Sequence, residues 1–153
     1  MRLNEKALLL SIGLSIIIGL VLRAILERAG IAGVLTGELF DLRALALPLL
    51  VTMVVYVGIG ALYGAFAHWD GMPLHVDQYA YGGAVTGVLW PAFAAMIAVI
   101  ETALRLPFLV LQPDSMILEV LGLMMSMVFG AALGGVGGGL YAFGQINRRR
   151  ERA

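Results

Sequence analysis

Residues 120–147 read VLGLMMSMVFGAALGGVGGGLYAFGQIN and contain no Asp, Glu, Lys or Arg. At about 1.5 Å per residue, a helix of this length is longer than the roughly 30 Å hydrocarbon core of a bilayer. Gly130, Gly134 and Gly138 recur every fourth residue and therefore share one face of that helix. Since lipid supplies little hydrophobic force between helices, a bare glycine face favours close helix contact. The stretch predicts a transmembrane helix that packs closely along one side.

The rest of the chain has the same apolar character. Of the 153 residues of the whole chain, 61% are hydrophobic and 13% are charged, and the mean hydropathy is +0.95. A water-soluble domain does not have this balance. We therefore predict an all-α integral membrane protein, a glycine-packed bundle of four transmembrane helices that forms one domain over residues 1–153. The predicted spans are roughly 7–28, 44–67, 79–103 and 116–146.

An even number of spans places both termini on the same side of the membrane. That side carries Arg2, Lys6 and the basic stretch Arg148–Arg152, which directly follows a predicted helix. Positive charge beside a span favours the cytoplasmic side. We expect a multi-pass protein of the cell membrane with cytoplasmic termini. A belt of aromatic side chains is predicted at the same interface: Tyr63, Phe66, Trp69, Tyr79, Tyr81, Tyr141 and Phe143.

Charge and cysteine content exclude several classes of function. Ten basic and ten acidic residues give a formal net charge of zero, so no basic surface is predicted to attract nucleic acid. The chain has no cysteine, which excludes disulfides, thiolate metal sites and cysteine nucleophiles. No serine is expected to lie at the depth of a histidine, as a catalytic pair requires. We expect a protein that is not an enzyme and has no cofactor.

Small residues spaced by four also occur in the other predicted spans. These rows are Ser11, Ser15 and Gly19, then Gly60 and Gly64, and then Gly83 and Gly87. Each span thus has a face that allows close approach of another helix. Two interpretations stay open: the rows close the bundle within one chain, or they form a contact between chains.

Five ionisable residues are expected at one level, near the outer membrane interface: Arg23, Glu27, Glu101, Arg105 and Glu119. In one interpretation they are anchors and ion pairs that set the depth of the helices. In the other they line a polar vestibule, where Glu101 or Glu119 binds a cation or a proton.

Two His-x-Asp pairs lie in the short connection between the second and third spans. They are His68-Trp69-Asp70 and His75-Val76-Asp77. Imidazole and carboxylate groups are suitable ligands for zinc or manganese, and a turn at residues 71–73 could bring the pairs together. The alternative is that these are ordinary polar residues of a loop between spans.

Short loops, glycine faces and the lack of a convergent polar site favour a small non-catalytic membrane subunit. Its partners would be the lipid bilayer and either further copies of itself or other membrane subunits. The alternative is a channel or transporter for a small ion or solute, in which Pro91 and the glycine-rich helix line or move a path. A lipid-modifying enzyme that uses the loop from His68 to Asp77 is a third hypothesis.

Overall fold

A computed structural model describes residues 3–28, 42–103 and 116–152 of the chain. The protein is all-helical over these residues, with no strand among them. The four helices, in chain order, are α1 (Glu5–Arg28), α2 (Leu42–Trp69), α3 (Val76–Ala103) and α4 (Met116–Arg150). Each contains the corresponding predicted span and extends it by up to a few residues, because polar residues at the ends continue the helical hydrogen bonding.

Contacts along the helices fix their relative directions. Positions near Gly83 and Gly87 on α3 meet Gly134 and Gly130 on α4, so these two helices are antiparallel. Helix α2 runs parallel to α4, because Gly60 meets Gly134 and the later residue Gly64 meets the later residue Tyr141. Helix α4 packs on α2 and α3, and α1 also packs on α2 and α3.

The start of α1, the α2–α3 turn and the last turns of α4 lie together at one end of the bundle, which we call the termini end. Asn4, directly before α1, bonds to Asp70 in the turn. Tyr79 near the start of α3 stacks on Tyr141 of α4, with ring centroids 6.4 Å apart. Both described ends of the chain are therefore at the same end of the bundle.

The turn between α2 and α3 is a Schellman motif. The N–H of Met72 donates to the carbonyl of Ala67, and the N–H of Gly71 donates to that of His68. Gly71 has φ +80°, which favours a residue without a Cβ atom. The hydroxyl of Tyr79 donates to the Met72 carbonyl at 3.0 Å and ties the turn to α3.

One helical segment, Val120–Arg150, is long and apolar enough to cross a membrane by length and composition. In the described part of the chain, Met53–Trp69 is apolar as well but shorter. The segment in α4 gives weak support for membrane association. The crossing of a bilayer by all four helices stays a prediction.

Candidate functional site

Helices α3 and α4 make a close backbone contact along a glycine seam, formed by Gly83, Gly87, Gly130, Gly134 and Gly138. A methyl group on Gly130 would overlap the carbonyl oxygen of Gly87, and one on Gly87 would overlap that of Gly130. Gly83 and Gly134 face each other in the same reciprocal way. The Cα hydrogens therefore point at carbonyl oxygens across the seam, an arrangement that contributes weak C–H···O bonds.

Helix α2 joins the seam at Gly134. A methyl group on Gly60 would overlap the carbonyl of Gly134, and one on Gly137 would overlap that of Val57. Gly134 thus meets α3 through both its Cα and its carbonyl, and it meets α2 through the same carbonyl. Three helix backbones converge at this residue.

Pro91 contributes to the seam from one turn away. It lies buried inside α3 and has no N–H, so it cannot donate to the carbonyl of Gly87, four residues before it. That carbonyl is the one directed at the Cα of Gly130. The proline thus leaves a carbonyl without its helical donor at the point where α4 comes closest.

An aromatic pair lies next to the seam on the side away from the termini end. Tyr56 of α2 and Trp90 of α3 meet edge to face, with ring centroids 5.7 Å apart and planes at 83°. The Ser126 side chain on α4 lies close to the Tyr56 hydroxyl. The buried indole Nε1 of Trp90 has no hydrogen-bond acceptor among the described residues.

Asn4 joins α1 to the rest of the bundle at the termini end. Its side-chain oxygen accepts the N–H of Ala7 at 3.0 Å, which caps the first turn of α1. Its Nδ2 donates to the Asp70 carboxylate at 2.9 Å, and its backbone N–H donates to the Tyr63 hydroxyl at 3.2 Å. One residue thus links α1, α2 and the turn.

Replacement of Asn4 by alanine is expected to lower the free energy of unfolding by about 1 to 2 kcal/mol, since the cap and a cross-helix bond are both lost. The first amides of α1 should exchange hydrogen faster, while the amides of α3 should not change. Asp70→Ala is the matched control: it removes only the exposed bond and should leave the capping of α1 intact. Equal exchange of the α1 amides in the parent and Asn4→Ala would contradict the capping role. The measurement is hydrogen exchange followed by mass spectrometry.

Tyr63 is a large side chain at the termini end that has no exposed surface, and the same is true of Tyr79. The Tyr63 ring covers Gly82 of α3 so closely that a methyl group there would overlap it. Around it lies a buried cluster of Ala7, Ala67, Tyr79 and Ala142, contributed by all four helices. Tyr63 and Tyr79 therefore belong to the interior and not to the predicted aromatic belt, because small residues opposite leave room for their rings.

The three glycines predicted to pack helices all lie in the seam within one chain. Gly130, Gly134 and Gly138 are buried, and α3 backbone contacts each of them. Gly122 and Gly144 of the same helix are exposed and have nothing within 4 Å of an added Cβ. The close-approach face of α4 is thus occupied inside the monomer.

The predicted outer polar cluster falls largely outside what the structure describes. Arg23 and Glu27 are in the second half of α1, and Glu119 is in the first turn of α4. Glu101 is near the end of α3, and Arg105 lies outside the described residues. The described part includes the backbone, but not the side chains, at the four helical positions. The anchor and vestibule interpretations both stay predictions.

The structure describes all four residues of the predicted metal site: His68, Asp70, His75 and Asp77. Within residues 3–28, 42–103 and 116–152, no three His, Asp or Glu side chains form a group that could hold a metal ion. Asp70 is bonded to Asn4, and Asp77 belongs to the first turn of α3. The metal hypothesis therefore has no geometric support, because the turn uses these groups for docking and helix initiation.

Sequence reasoning missed Asn4 and the role of Tyr63. The signal for Asn4 was local, since Asn is a preferred residue directly before a helix. No local signal marks Tyr63, because its partners are distant in the chain.

No family model, curated protein or solved structure matches this chain.

Proposed function

We propose that the chain is a small four-span membrane protein that acts as a non-catalytic subunit, either as a homo-oligomer or beside larger membrane partners. Its termini face the cytoplasm in this proposal. The observation that carries it is the distribution of side chains between the interior and the surface of the bundle.

Many large apolar side chains lie on the outside of the bundle, while the helix contacts inside it use glycine, alanine and serine as well as a few large side chains. Exposed positions occur on every helix: Leu9, Leu10, Ile17, Leu50, Val54, Met96, Ile100, Leu121, Met124, Val128 and Leu140. The buried polar residues among those described are Ser11, Ser15 and Thr86. Water would not tolerate this much exposed apolar surface on a monomer, whereas lipid would. The exposed apolar side chains on all four helices therefore support a bundle embedded in a membrane.

The buried serine and threonine hydroxyls of the described residues are engaged by their own helices. Ser11 donates to the carbonyl of Leu8, Ser15 donates to that of Ser11, and Thr86 donates to that of Gly82. A hydroxyl bonded to its own helix serves packing and does not act as a nucleophile without a neighbouring base. These bonds, together with backbone contact along the seam, support a structural role.

The alternative is a channel or transporter for a small ion or solute, and a specific observation favours it. Within residues 120–129 of α4 no residue is buried, whereas five are buried between residues 130 and 142. Helix packing is thus tight toward the termini end and open beyond the seam. With Pro91 at the boundary, the open half has the features of a segment that moves.

Native mass spectrometry of the protein, gently extracted from its own membranes, tests the subunit proposal. A homo-oligomer of fixed stoichiometry, or a constant set of other membrane subunits, is the expected result. Strict monomers that conduct an ion in reconstituted vesicles would contradict the proposal and favour transport.

A further inference from the structure

Helix α4 continues past the buried cluster at the termini end. Ala142 is its last buried residue, and the helix runs on from there to Arg150. At 1.5 Å per residue, this end of α4 is about 12 Å long. The hydrogen bonding extends past Arg150, since the N–H of Glu151 donates to the Asn147 carbonyl and that of Arg152 donates to the Arg149 carbonyl.

This end of α4 is a cationic tip, formed by Arg148, Arg149, Arg150 and Arg152 with a single acidic residue, Glu151. All five side chains are exposed. Arg149 lies within electrostatic range of Tyr79, near the start of α3. The carboxylates that the other elements place at the termini end are those of Glu5, Asp70 and Asp77, and Asp70 is bonded to Asn4.

Aromatic rings mark the level of the membrane interface at the same end. Trp69 is 83% exposed and stacks on Phe66, with ring centroids 6.5 Å apart. Phe143, one turn before the tip, is also exposed. Indole rings prefer the headgroup level, where an apolar body and a polar N–H are both accommodated. The arginines follow this level directly along α4.

We propose that the cationic tip binds the phosphate groups of anionic phospholipids in the leaflet at the termini end. Planar guanidinium groups match phosphate oxygens through paired hydrogen bonds. Basic residues beside a span attract anionic lipids, and the attraction falls off within about 10 Å, so the short distance to the aromatic level is essential. The inference rests on the proposed membrane location of the bundle.

Trp69 provides a reporter for this binding. Trp90 is the other tryptophan of the chain, so a full-length Trp90→Phe protein has one indole, located at the termini end. The protein is reconstituted into phosphatidylcholine vesicles that contain a small fraction of brominated phosphatidylglycerol or, in parallel, brominated phosphatidylcholine. The expected result is several-fold stronger quenching of Trp69 by the anionic lipid.

Two further variants of the Trp90→Phe protein test whether the arginines of the cationic tip cause the difference in quenching. Replacement of all four arginines by glutamine should make the two lipids quench equally. Replacement by lysine keeps the charge and should retain most of the difference, with weaker discrimination because lysine lacks the planar fork. Circular dichroism checks that each variant stays helical.

Equal quenching by the two lipids in the Trp90→Phe protein itself would overturn the inference, whether or not the variants fold. Unequal quenching that survives the glutamine replacement would also overturn it. Vesicle flotation distinguishes failure of the membrane proposal from failure of anionic lipid binding alone. A protein that does not float with the vesicles refutes the membrane proposal, whereas one that floats and shows no preference refutes only anionic lipid binding and leaves an acidic protein partner for the tip.

Discussion

Replacement of Gly134 by alanine is expected to lower the free energy of unfolding by about 1 to 3 kcal/mol, although alanine is the better helix former. The added methyl group would overlap the carbonyl of Gly83 on α3. A side chain could rotate away from such an overlap, but a backbone carbonyl moves only if its helix moves. Displacement of α4 would also disturb Gly60, which meets the carbonyl of Gly134.

The same helix contains matched controls for this substitution. Gly122 and Gly144 have no atom within 4 Å of an added Cβ. Gly122→Ala and Gly144→Ala should therefore leave stability unchanged or raise it by up to about 1 kcal/mol through helix propensity. Unfolding in mixed micelles with a rising fraction of SDS, followed by tryptophan fluorescence, measures all three variants. Equal effects at the three glycines would contradict the seam.

Replacement of Tyr63 by alanine is expected to have the largest effect of any single truncation, about 3 to 5 kcal/mol. The ring has no exposed surface and fills the space over Gly82. Its loss leaves a cavity in the cluster that all four helices share, and it also removes the hydroxyl that accepts the Asn4 N–H. Tyr63→Phe removes only that acceptor and should lower the free energy of unfolding by about 1 kcal/mol.

Tyr81 and Gly82 supply the controls for Tyr63. Tyr81 is 44% exposed, so Tyr81→Ala should change stability by no more than about 0.5 kcal/mol. Gly82→Ala should destabilise the parent, because its methyl group meets the Tyr63 ring, but not the Tyr63→Ala protein, where the ring is gone. Such non-additivity is typical of residues in contact. Additive effects of the two substitutions would show that Tyr63 does not fill this space.

The four helices of residues 3–28, 42–103 and 116–152 could be predicted from the sequence because charged residues are gathered between long apolar runs. Helix α4 shows the principle, since the uncharged run of residues 120–147 lies wholly inside Met116–Arg150. The boundaries differ by a few residues because capping decides them. Asn4 starts α1 two residues before the predicted span, and the Schellman turn at Gly71 ends α2 at Trp69.

Which glycines meet each other could not be predicted. Spacing by four places Gly130, Gly134 and Gly138 on one face, but it does not say which helix covers that face. Their pairing with Gly83 and Gly87 depends on the antiparallel register of α3 and α4, a long-range property of the packed bundle. The same limit applies to the polar residues of the turn, where proximity in the chain suggested a metal site and three-dimensional packing assigns Asp70 to Asn4.

The central claim, a bundle that crosses the membrane four times with both termini on one side, is tested most directly by thiol labelling. Because the chain has no cysteine, Pro73→Cys, Ser115→Cys and Arg152→Cys each carry a single reactive thiol. In sealed right-side-out vesicles, a membrane-impermeant maleimide should label Ser115→Cys at once and the other two only after permeabilisation. Labelling of Ser115→Cys and Arg152→Cys from the same side, or recovery of the protein without the membrane, would contradict the four-span bundle.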